Sequence, residues 1–287
     1  TEGGRTQTST VKCKRNGITA TGGSEATPTT MTDLYNADVA GGWGVITKQG
    51  NNQYYIAGNI FIGDSGANGW LYLANENVEF APTYKLLNSW SRDGTASTRG
   101  LTIGVVDANG LTDKGCYISG NVKNDNNNTA YSRWIMMAHN GSGTKFVVYG
   151  SIFYCVRGDS LNIFFDGPTL VFKDVFLIGD SSLYVNTNPT SVAIDRVRAS
   201  DNSQVQGTAG RINSNSTATN TWSDIICDRI SNARGGSGGS GNSAAVVVRN
   251  CTVFNNIEVG NDVGNSISLI DSAFEGASKT ITFNGEF

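Results

Sequence analysis

The chain has 287 residues, of which 36 are glycine, four are proline and one is histidine, and its formal net charge is −3. The basic residues form no block, which argues against duplex nucleic acid as the main partner, because phosphate binding needs clustered Lys and Arg. No run approaches the roughly 18 apolar residues of a membrane span. We therefore expect a protein with neither a nucleic-acid partner nor a membrane span.

Residues 1–45 are rich in Gly, Thr and Ser and lack sustained apolar alternation. This composition predicts an extended N-terminal arm or cap instead of a packed domain. No segment of ten or more residues carries an apolar stripe of 3.6-residue period, so almost no helix is expected. Residues 46–287 are predicted to form one further domain.

Short strands separated by turn residues are predicted from position 54 onward. Apolar residues alternate with small or polar ones, and Gly, Asp, Asn and Ser mark the turns. The predicted strands are 54–64, 70–80, 100–106, 115–122, 134–139, 144–154, 170–177, 191–197, 223–230, 244–254, 266–274 and 280–283. A polar insertion is predicted around 202–221 and a flexible Gly/Ser turn at 234–243.

A series of polar residues recurs in the second half of the chain, each between two short apolar runs. Its members are Asp174, Asp195, Asp228, Asn250 and Asp271. The steps between them are 21, 33, 22 and 21 positions, the long step being one repeat plus an insertion. Two positions before each member lies an apolar residue, which predicts one inward column of Phe172, Ala193, Ile226, Val248 and Leu269. A period in the low twenties without helical spacing is typical of a β-solenoid.

Such a repeat accommodates about three short strands joined by bends, and successive repeats would pair in parallel about 4.8 Å apart. Backbone groups are then satisfied without helices. An Asn or Asp at a bend can bond its own backbone and the next repeat. We predict an all-β fold, a single-stranded parallel solenoid of roughly ten repeats.

Two sequence segments resemble the repeats of a known protein family. They are Val-Val-Val-Arg-Asn-Cys-Thr-Val-Phe-Asn-Asn at 246–256 and Ile-Ser-Leu-Ile-Asp-Ser-Ala-Phe-Glu-Gly at 267–276. The family is the right-handed parallel β-helix family, which includes pectate-lyase-like enzymes and the tailspikes and fibres of bacteriophages. The resemblance covers 145–287 well and 54–144 loosely, and the segment 60–75 is similar to structural proteins of marine phage particles. It implies a right-handed parallel β-helix and three-fold self-association.

Two interpretations of the polar series are open. Enzymes of this family use acidic side chains to bind calcium or to act in pairs. A residue at one offset in every repeat more often caps a bend, however, and stacked carboxylates about 5 Å apart repel one another. We favour the structural interpretation and assign no catalytic residue. Arg196 and Arg229, which follow Asp195 and Asp228, are interpreted as partners in surface ion pairs, with the reactive base of a lyase as the alternative.

The five cysteines form no Cys-x-x-Cys pair and the single histidine is His139, so neither a metal nor a cofactor is expected. Cys227 and Cys251 are predicted to be small buried groups in neighbouring repeats instead of a disulfide. Cysteines within strands and in odd number indicate a protein made in a reducing cytoplasm. Among the five tryptophans, which are expected mainly to pack, Trp222 is the candidate for contact with a glycan.

These observations favour a non-enzymatic structural protein of a bacteriophage virion, either a capsid decoration or a fibre or spike subunit made in the host cytoplasm. Other virion proteins would be its partners, and a homo-oligomer, in particular a homotrimer, is expected. One alternative is a polysaccharide-binding or polysaccharide-cleaving β-helix protein of tailspike or lyase type, acting on a cell-surface glycan. Another is a surface adhesin or filament subunit.

Overall fold

The structure is a computed structural model that describes residues 17–63, 67–81, 86–90, 98–106, 108–109, 112–120, 133–138, 144–154, 161–166, 168–178, 181–185, 191–199, 204–207, 220–231, 245–259, 266–274 and 280–283. Within these ranges the protein is built from strands and one helix, and most strand pairs belong to one curled, mainly parallel sheet. The predicted all-β class is confirmed.

The elements of the first half are β1 (Gly17–Ala20), β2 (Thr29–Thr30), α1 (Met31–Gly41), β3 (Ile46–Gly50), β4 (Gln53–Ile56), β5 (Asn59–Ile62), β6 (Gly69–Leu73), β7 (Asn77–Phe80), β8 (Leu86–Trp90), β9 (Arg99–Ile103), β10 (Val105–Val106), β11 (Thr112–Lys114), β12 (Tyr117–Gly120) and β13 (Arg133–Ala138).

The elements of the second half are β14 (Lys145–Tyr149), β15 (Ile152–Tyr154), β16 (Leu161–Asp166), β17 (Thr169–Ile178), β18 (Ser181–Val185), β19 (Ser191–Ala199), β20 (Gln204–Gly207), β21 (Asn220–Ser223), β22 (Ile226–Ser231), β23 (Ala245–Arg249), β24 (Thr252–Val259), β25 (Ser266–Ile270), β26 (Ala273–Phe274) and β27 (Thr280–Phe283).

Parallel pairing arranges these strands in three columns. Column A contains β2, β6, β9, β14, the first halves of β17 and β19, β21, β23 and β25. Column B contains β4, β7, β12, β15, the second halves of β17 and β19, the first halves of β22 and β24, and β26. Column C contains β1, β5, β8, β13, β16, β18, β20, the second halves of β22 and β24, and β27.

The chain visits the columns in the order A, B, C and then begins again, and one such passage is called a repeat below. Side chains alternate between the inside and the outside of the stack, as the burial along β5 and β14 shows. The inward side chains of all three columns form one hydrophobic core. Its aromatic rings touch across repeats: the ring centroids of Phe146 and Phe172 are 5.3 Å apart.

The series of inward-facing side chains that stack in column A differs in part from the predicted series. Phe172 pairs with Ile194, Ile194 with Trp222, Trp222 with Val248, and Val248 with Leu269. The prediction is therefore right at Phe172 and Val248, which are buried, and wrong at the other two places. Leu269 has the predicted register, but its side chain is 41% exposed. Ala193 is one residue out of register, which turns a side chain to the opposite face of a strand. Ile226 lies in column B, after the bend.

Residues 17–45 are not an extended arm. Strand β1 pairs with β5 and β2 with β6, so the columns already begin before position 45. Helix α1 follows β2, and its side chains Met31 and Leu34 are buried in the common core. Residues 1–16, the rest of the predicted arm, lie outside the described ranges.

The helix has clear local causes. Thr30 accepts a hydrogen bond from the backbone N–H of Asp33 (3.2 Å), and the Asp33 carboxylate accepts one from the N–H of Thr30 (2.8 Å), which is a capping box. Gly42 ends the helix in the left-handed conformation. The buried Asp38 carboxylate accepts hydrogen bonds from the backbone N–H groups of Val45 and Ile46 and so ties the helix to β3.

Among the described strands, two antiparallel pairs interrupt the parallel pattern. Strand β3 pairs with β4, and β10 and β11 form a small sheet of their own between β9 and β12. The helix found in the described part of the chain is too short to cross a membrane.

Candidate functional site

Columns A and B meet at a bend where one residue of each repeat has a positive φ. After β6 this residue is Asn75, with φ of 58°, and from β14 onward the described residues are Gly150, Asp174, Arg196, Asp224, Asn250 and Asp271, with φ between 50° and 55°. The strand register places each of the latter beside the next, since the residues just before them are paired. Left-handed backbone is unfavourable for most L-residues, and Asn, Asp and Gly tolerate it best. The short polar residues therefore recur because the A–B bend requires this backbone conformation.

Three of the five residues in the predicted polar series lie in this bend column: Asp174, Asn250 and Asp271. Asp195 lies one residue before the bend, in column A, where it pairs with Lys173 and Ser223. Asp228 follows the bend in β22, and Asp224 takes its place in the column. The prediction is wrong at these two positions because the repeats differ in length, so a constant period does not align them.

Arg196 links two repeats at the bend. Its Nε donates to Asp174 Oδ1 at 2.6 Å and its Nη2 to Asp174 Oδ2 at 2.9 Å. Its Nη1 donates to Asp195, so the predicted ion pair of Asp195 and Arg196 is confirmed. The hydrogen bond with Asp174 raises the pKa of Arg196 further above its usual range. Ser223 Oγ donates to Asp195 Oδ1 at 2.8 Å, and Asn250 Nδ2 donates to Asp224 Oδ1. These acidic side chains are thus engaged with neighbouring repeats.

The residue after the bend points inward, and in the described ranges four repeats carry a hydroxyl or a thiol there: Cys116, Ser151, Cys251 and Ser272. Ser151, Cys251 and Ser272 each donate to the carbonyl two residues earlier, at 2.8, 3.0 and 2.9 Å. Each also accepts a backbone N–H from the preceding repeat, donated by Cys116, Ile225 and Cys251, at 3.1, 3.3 and 3.1 Å. We call this arrangement the bend relay. It satisfies a buried N–H group where the ladder of strand hydrogen bonds is interrupted.

Glu76 has the same inward position near the start of the stack. The register aligns Glu76, Cys116 and Ser151, which precede Asn77, Tyr117 and Ile152. Cys116 Sγ lies 3.7 Å from Glu76 Oε2. Burial raises the pKa of Glu76 to about 7, and burial together with the nearby carboxylate raises the pKa of Cys116 to about 12. A thiol with so high a pKa is not a nucleophile near neutral pH.

A cleft of about 480 Å³ opens on the outward face of column A. Its wall is formed by side chains from β6, β9, β14 and β17, and the 21–28 segment closes one side. The wall includes Trp70, Tyr72, Thr102, Tyr149, Thr169 and Val171. Trp70 is held in place because its Nε1 donates to Thr102 Oγ1 at 3.2 Å, and its ring occupies the space where a Cβ at Gly100 would lie. Lys145 Nζ bonds Glu25 Oε2 at 2.6 Å on the rim.

The remaining candidate residues lie away from this cleft. Trp222, the predicted glycan contact, is 1% exposed in the core, so its ring offers no face to a sugar. Its indole N–H has no hydrogen-bond partner among the described residues. Cys227 and Cys251 are buried thiols, as predicted. His139 lies outside the described residues.

Within the described ranges, no group of three or more His, Cys, Asp or Glu side chains is arranged to hold a metal ion. The cleft was not predicted from the sequence, since its wall combines residues from Glu25 to Val171 that share no motif. The outward aromatic positions of β6 and β14 are the only local signal for it. No protein-family model, no curated protein and no solved structure matches this chain.

Proposed function

We propose that the chain is a right-handed parallel β-helix that serves as a non-enzymatic structural protein of a bacteriophage particle. The repeated order of the columns supports a helical winding. Parallel strands connected by a crossover are right-handed in about 98% of cases, which favours that hand. The family resemblance of 246–256 and 267–276 supports the assignment to a virion, as a capsid decoration or as a fibre or spike subunit.

The structural role is supported by the bonds that acidic side chains at or beside the A–B bend make. Asp174 binds Arg196, Asp195 accepts a hydrogen bond from Ser223, and Asp224 accepts one from Asn250, so these groups link one repeat to the next. Glycoside hydrolysis needs two carboxyl groups facing a cleft, about 5–9.5 Å apart. In the described part of the cleft wall the carboxylate is that of Glu25, which is bonded to Lys145. This arrangement favours a scaffold over a hydrolase.

The experiment is to look for the chain on particles. Phage particles whose genome encodes the chain would be labelled with gold-coupled antibody against the recombinant chain and imaged by electron microscopy. We expect label at regular positions on the capsid or the tail, and peptides of the chain in digests of the same particles. Absence of both label and peptides from particles that carry the gene would overturn the proposal.

The cleft favours a second candidate function, glycan binding. Tyr72 and Tyr149 provide aromatic faces on which sugar rings stack, and Thr102, Thr169 and Lys145 provide hydrogen-bonding groups between and beside them. A spike that attaches to a cell-surface glycan would have such a surface. The scarcity of carboxylates in the cleft favours binding over cleavage.

Calorimetric titration with host surface polysaccharides tests this candidate. Tyr72→Ala and Tyr149→Ala should each weaken binding about tenfold or more, a typical effect of removing an aromatic contact. Tyr55→Ala, on the outward face of column B, is the matched control and should bind as the wild type does. Failure of every host polysaccharide to bind, or equal binding by all three variants, would rule out the cleft as a glycan site.

A further inference from the structure

A stripe of apolar side chains runs across three repeats on the outward face of column B. Tyr117, Ile152 and Phe176 stack in register, and Tyr154 and Ile178 stack beside them. We call these five residues the apolar stripe. Tyr117 is 37% exposed and Phe176 is 47% exposed. Large aromatic side chains that stay exposed next to one another on a rigid sheet often mark a protein–protein contact.

The side chains of the apolar stripe are regularly arranged on paired strands. The rings of Tyr117 and Tyr154 lie 6.4 Å apart at an angle of 22°. Burial raises the pKa of Tyr117, and the neighbouring Tyr154 and Glu79 contribute to the rise. The strands beneath are held by parallel pairing from β7 through β19. A preorganised surface of this kind loses little conformational entropy when it binds a partner.

Opposite charges stand at the two ends of the apolar stripe. The exposed Glu79 lies on β7, next to Ser119 in the register, and the exposed Arg198 lies on β19, next to Phe176. Arg198 Nη1 donates to the carbonyl of Asp224 at 3.0 Å, which orients the guanidinium. Four strand spacings, about 19 Å, separate β7 from β19, with β15 midway. The charges on the outward face of column B are therefore complementary to those of a second copy whose stacking direction is reversed.

We propose that the apolar stripe is the contact surface of a two-fold dimer, in which a second copy of this chain lies face to face with its stacking direction reversed. The two-fold axis runs along β15, between the two faces. Ile152 and Tyr154 then meet their own counterparts, and Tyr117 meets Phe176 of the second copy. Glu79 of each copy lies two residues along the strand direction, about 7 Å, from Arg198 of the other, a distance that their long side chains can span. Such a contact is isologous, since residue pairs occur twice.

The reversed direction separates this dimer from the three-fold association that the family resemblance implies. In a trimer with parallel stacking axes, equal repeats lie at the same height, and Glu79 does not meet Arg198. A partner of another sequence would not require the two charges to match each other. Self-complementarity of charge is thus the observation that favours a second copy.

Charge exchange tests the proposal. Glu79→Arg and Arg198→Glu each place like charges together in the dimer, and the double variant restores an opposite pair. Sedimentation equilibrium should show a wild-type dimer, about a tenfold or greater rise in the dissociation constant for each single variant, and recovery to within about threefold in the double variant. The control Arg249→Glu makes the same charge change at an exposed site on column A and should leave the dimer intact.

Circular dichroism spectra of all four variants should match the wild type, because the substituted side chains are exposed. Phe176→Ser, which removes the aromatic side chain at the β17 end of the apolar stripe, should also weaken the dimer. A wild-type monomer at tens of micromolar, a trimer, or a dimer that is indifferent to the charge exchanges would each overturn the proposal.

Discussion

Arg196 binds Asp174 through two parallel hydrogen bonds, from Nε at 2.6 Å and from Nη2 at 2.9 Å, although both residues have left-handed backbone. The two lie side by side in consecutive repeats. In the bend column, which is otherwise rich in Asp and Asn, the positively charged Arg196 therefore lies between Asp174 and Asp224. A row of stacked carboxylates would repel, so this base allows the acids to be stacked at the bend.

Substitutions at Asp174 separate the backbone contribution from the ion pair. Asp174→Asn keeps a residue that tolerates positive φ, and we expect a loss of less than about 1 kcal/mol, because the pair is partly exposed. Asp174→Ala adds a backbone cost of about 1–2 kcal/mol. Urea denaturation measures both. Gly150→Ala, at the same bend one repeat earlier, isolates the backbone cost, and a value near zero would contradict the account.

The bend relay predicts which side chains fit at position 251. Cys251→Ser preserves a donor and an acceptor, as Ser151 and Ser272 do, and should change the free energy of unfolding by less than about 1 kcal/mol. Cys251→Val removes the acceptor that the Ile225 N–H uses and should cost about 1–2 kcal/mol. Val175 and Val197 are buried at the corresponding place in other repeats, so the volume of valine is compatible with the site. Equal stability of the two variants would show that the relay contributes nothing.

Glu76 should make stability depend on pH. Burial raises its pKa from the ordinary 4.5 to about 7, so the folded state holds the proton more tightly than the unfolded state does. The stabilisation is therefore present below about pH 4.5 and is lost as the pH rises to about 7. Glu76→Gln should remove this dependence and stabilise the fold at pH 8 by about 1–2 kcal/mol, since the carboxyl is partly exposed and solvent screens its charge.

Thermal or urea unfolding at several values between pH 5 and pH 8 measures the effect of Glu76. The informative quantity is the difference between wild type and Glu76→Gln, because other titrating groups are common to both proteins. A difference that stays constant over this range would mean that Glu76 is ionised normally in the folded protein.

Trp222 should behave as a core residue. Trp222→Phe leaves a smaller apolar ring and removes an N–H group that has no partner among the described residues, so we expect a loss of only about 1–2 kcal/mol. Trp222→Ala should cost about 3–5 kcal/mol. Any ligand of the cleft should bind Trp222→Phe as it binds the wild type. Reduced glycan binding by this variant without reduced stability would restore Trp222 as a contact residue.

The sequence was sufficient to predict the all-β class and part of the bend column, because a bend that needs left-handed backbone selects Asp, Asn or Gly. It was insufficient for Asp195 and Asp228. Asp195-Arg196 and Asp228-Arg229 look alike in sequence, but the first straddles the bend and the second follows it. Register in a strand is decided by which face is buried, and that depends on neighbours in other repeats.

Helix α1 and the cleft were missed for different reasons. The capping box from Thr30 to Asp33 was present in the sequence and could have indicated a helix start, but the apolar face of α1 is short. The cleft has no local signature, since Tyr72 and Tyr149 become neighbours only when distant repeats stack. Trp222 was misassigned because the polar insertion before it suggested exposure.

The bend relay and the Arg196 contacts join each repeat only to the ones directly adjoining it. A molecule connected in this way has no single folding nucleus, and its stability grows approximately as a sum of local and nearest-neighbour contributions. Thermal fluctuations should therefore release terminal strands before central ones, so that amide protons near Val175 exchange with deuterium more slowly than those near Ala273. Adding or deleting whole repeats would then change the length of the stack while leaving the structure of the neighbouring repeats unchanged.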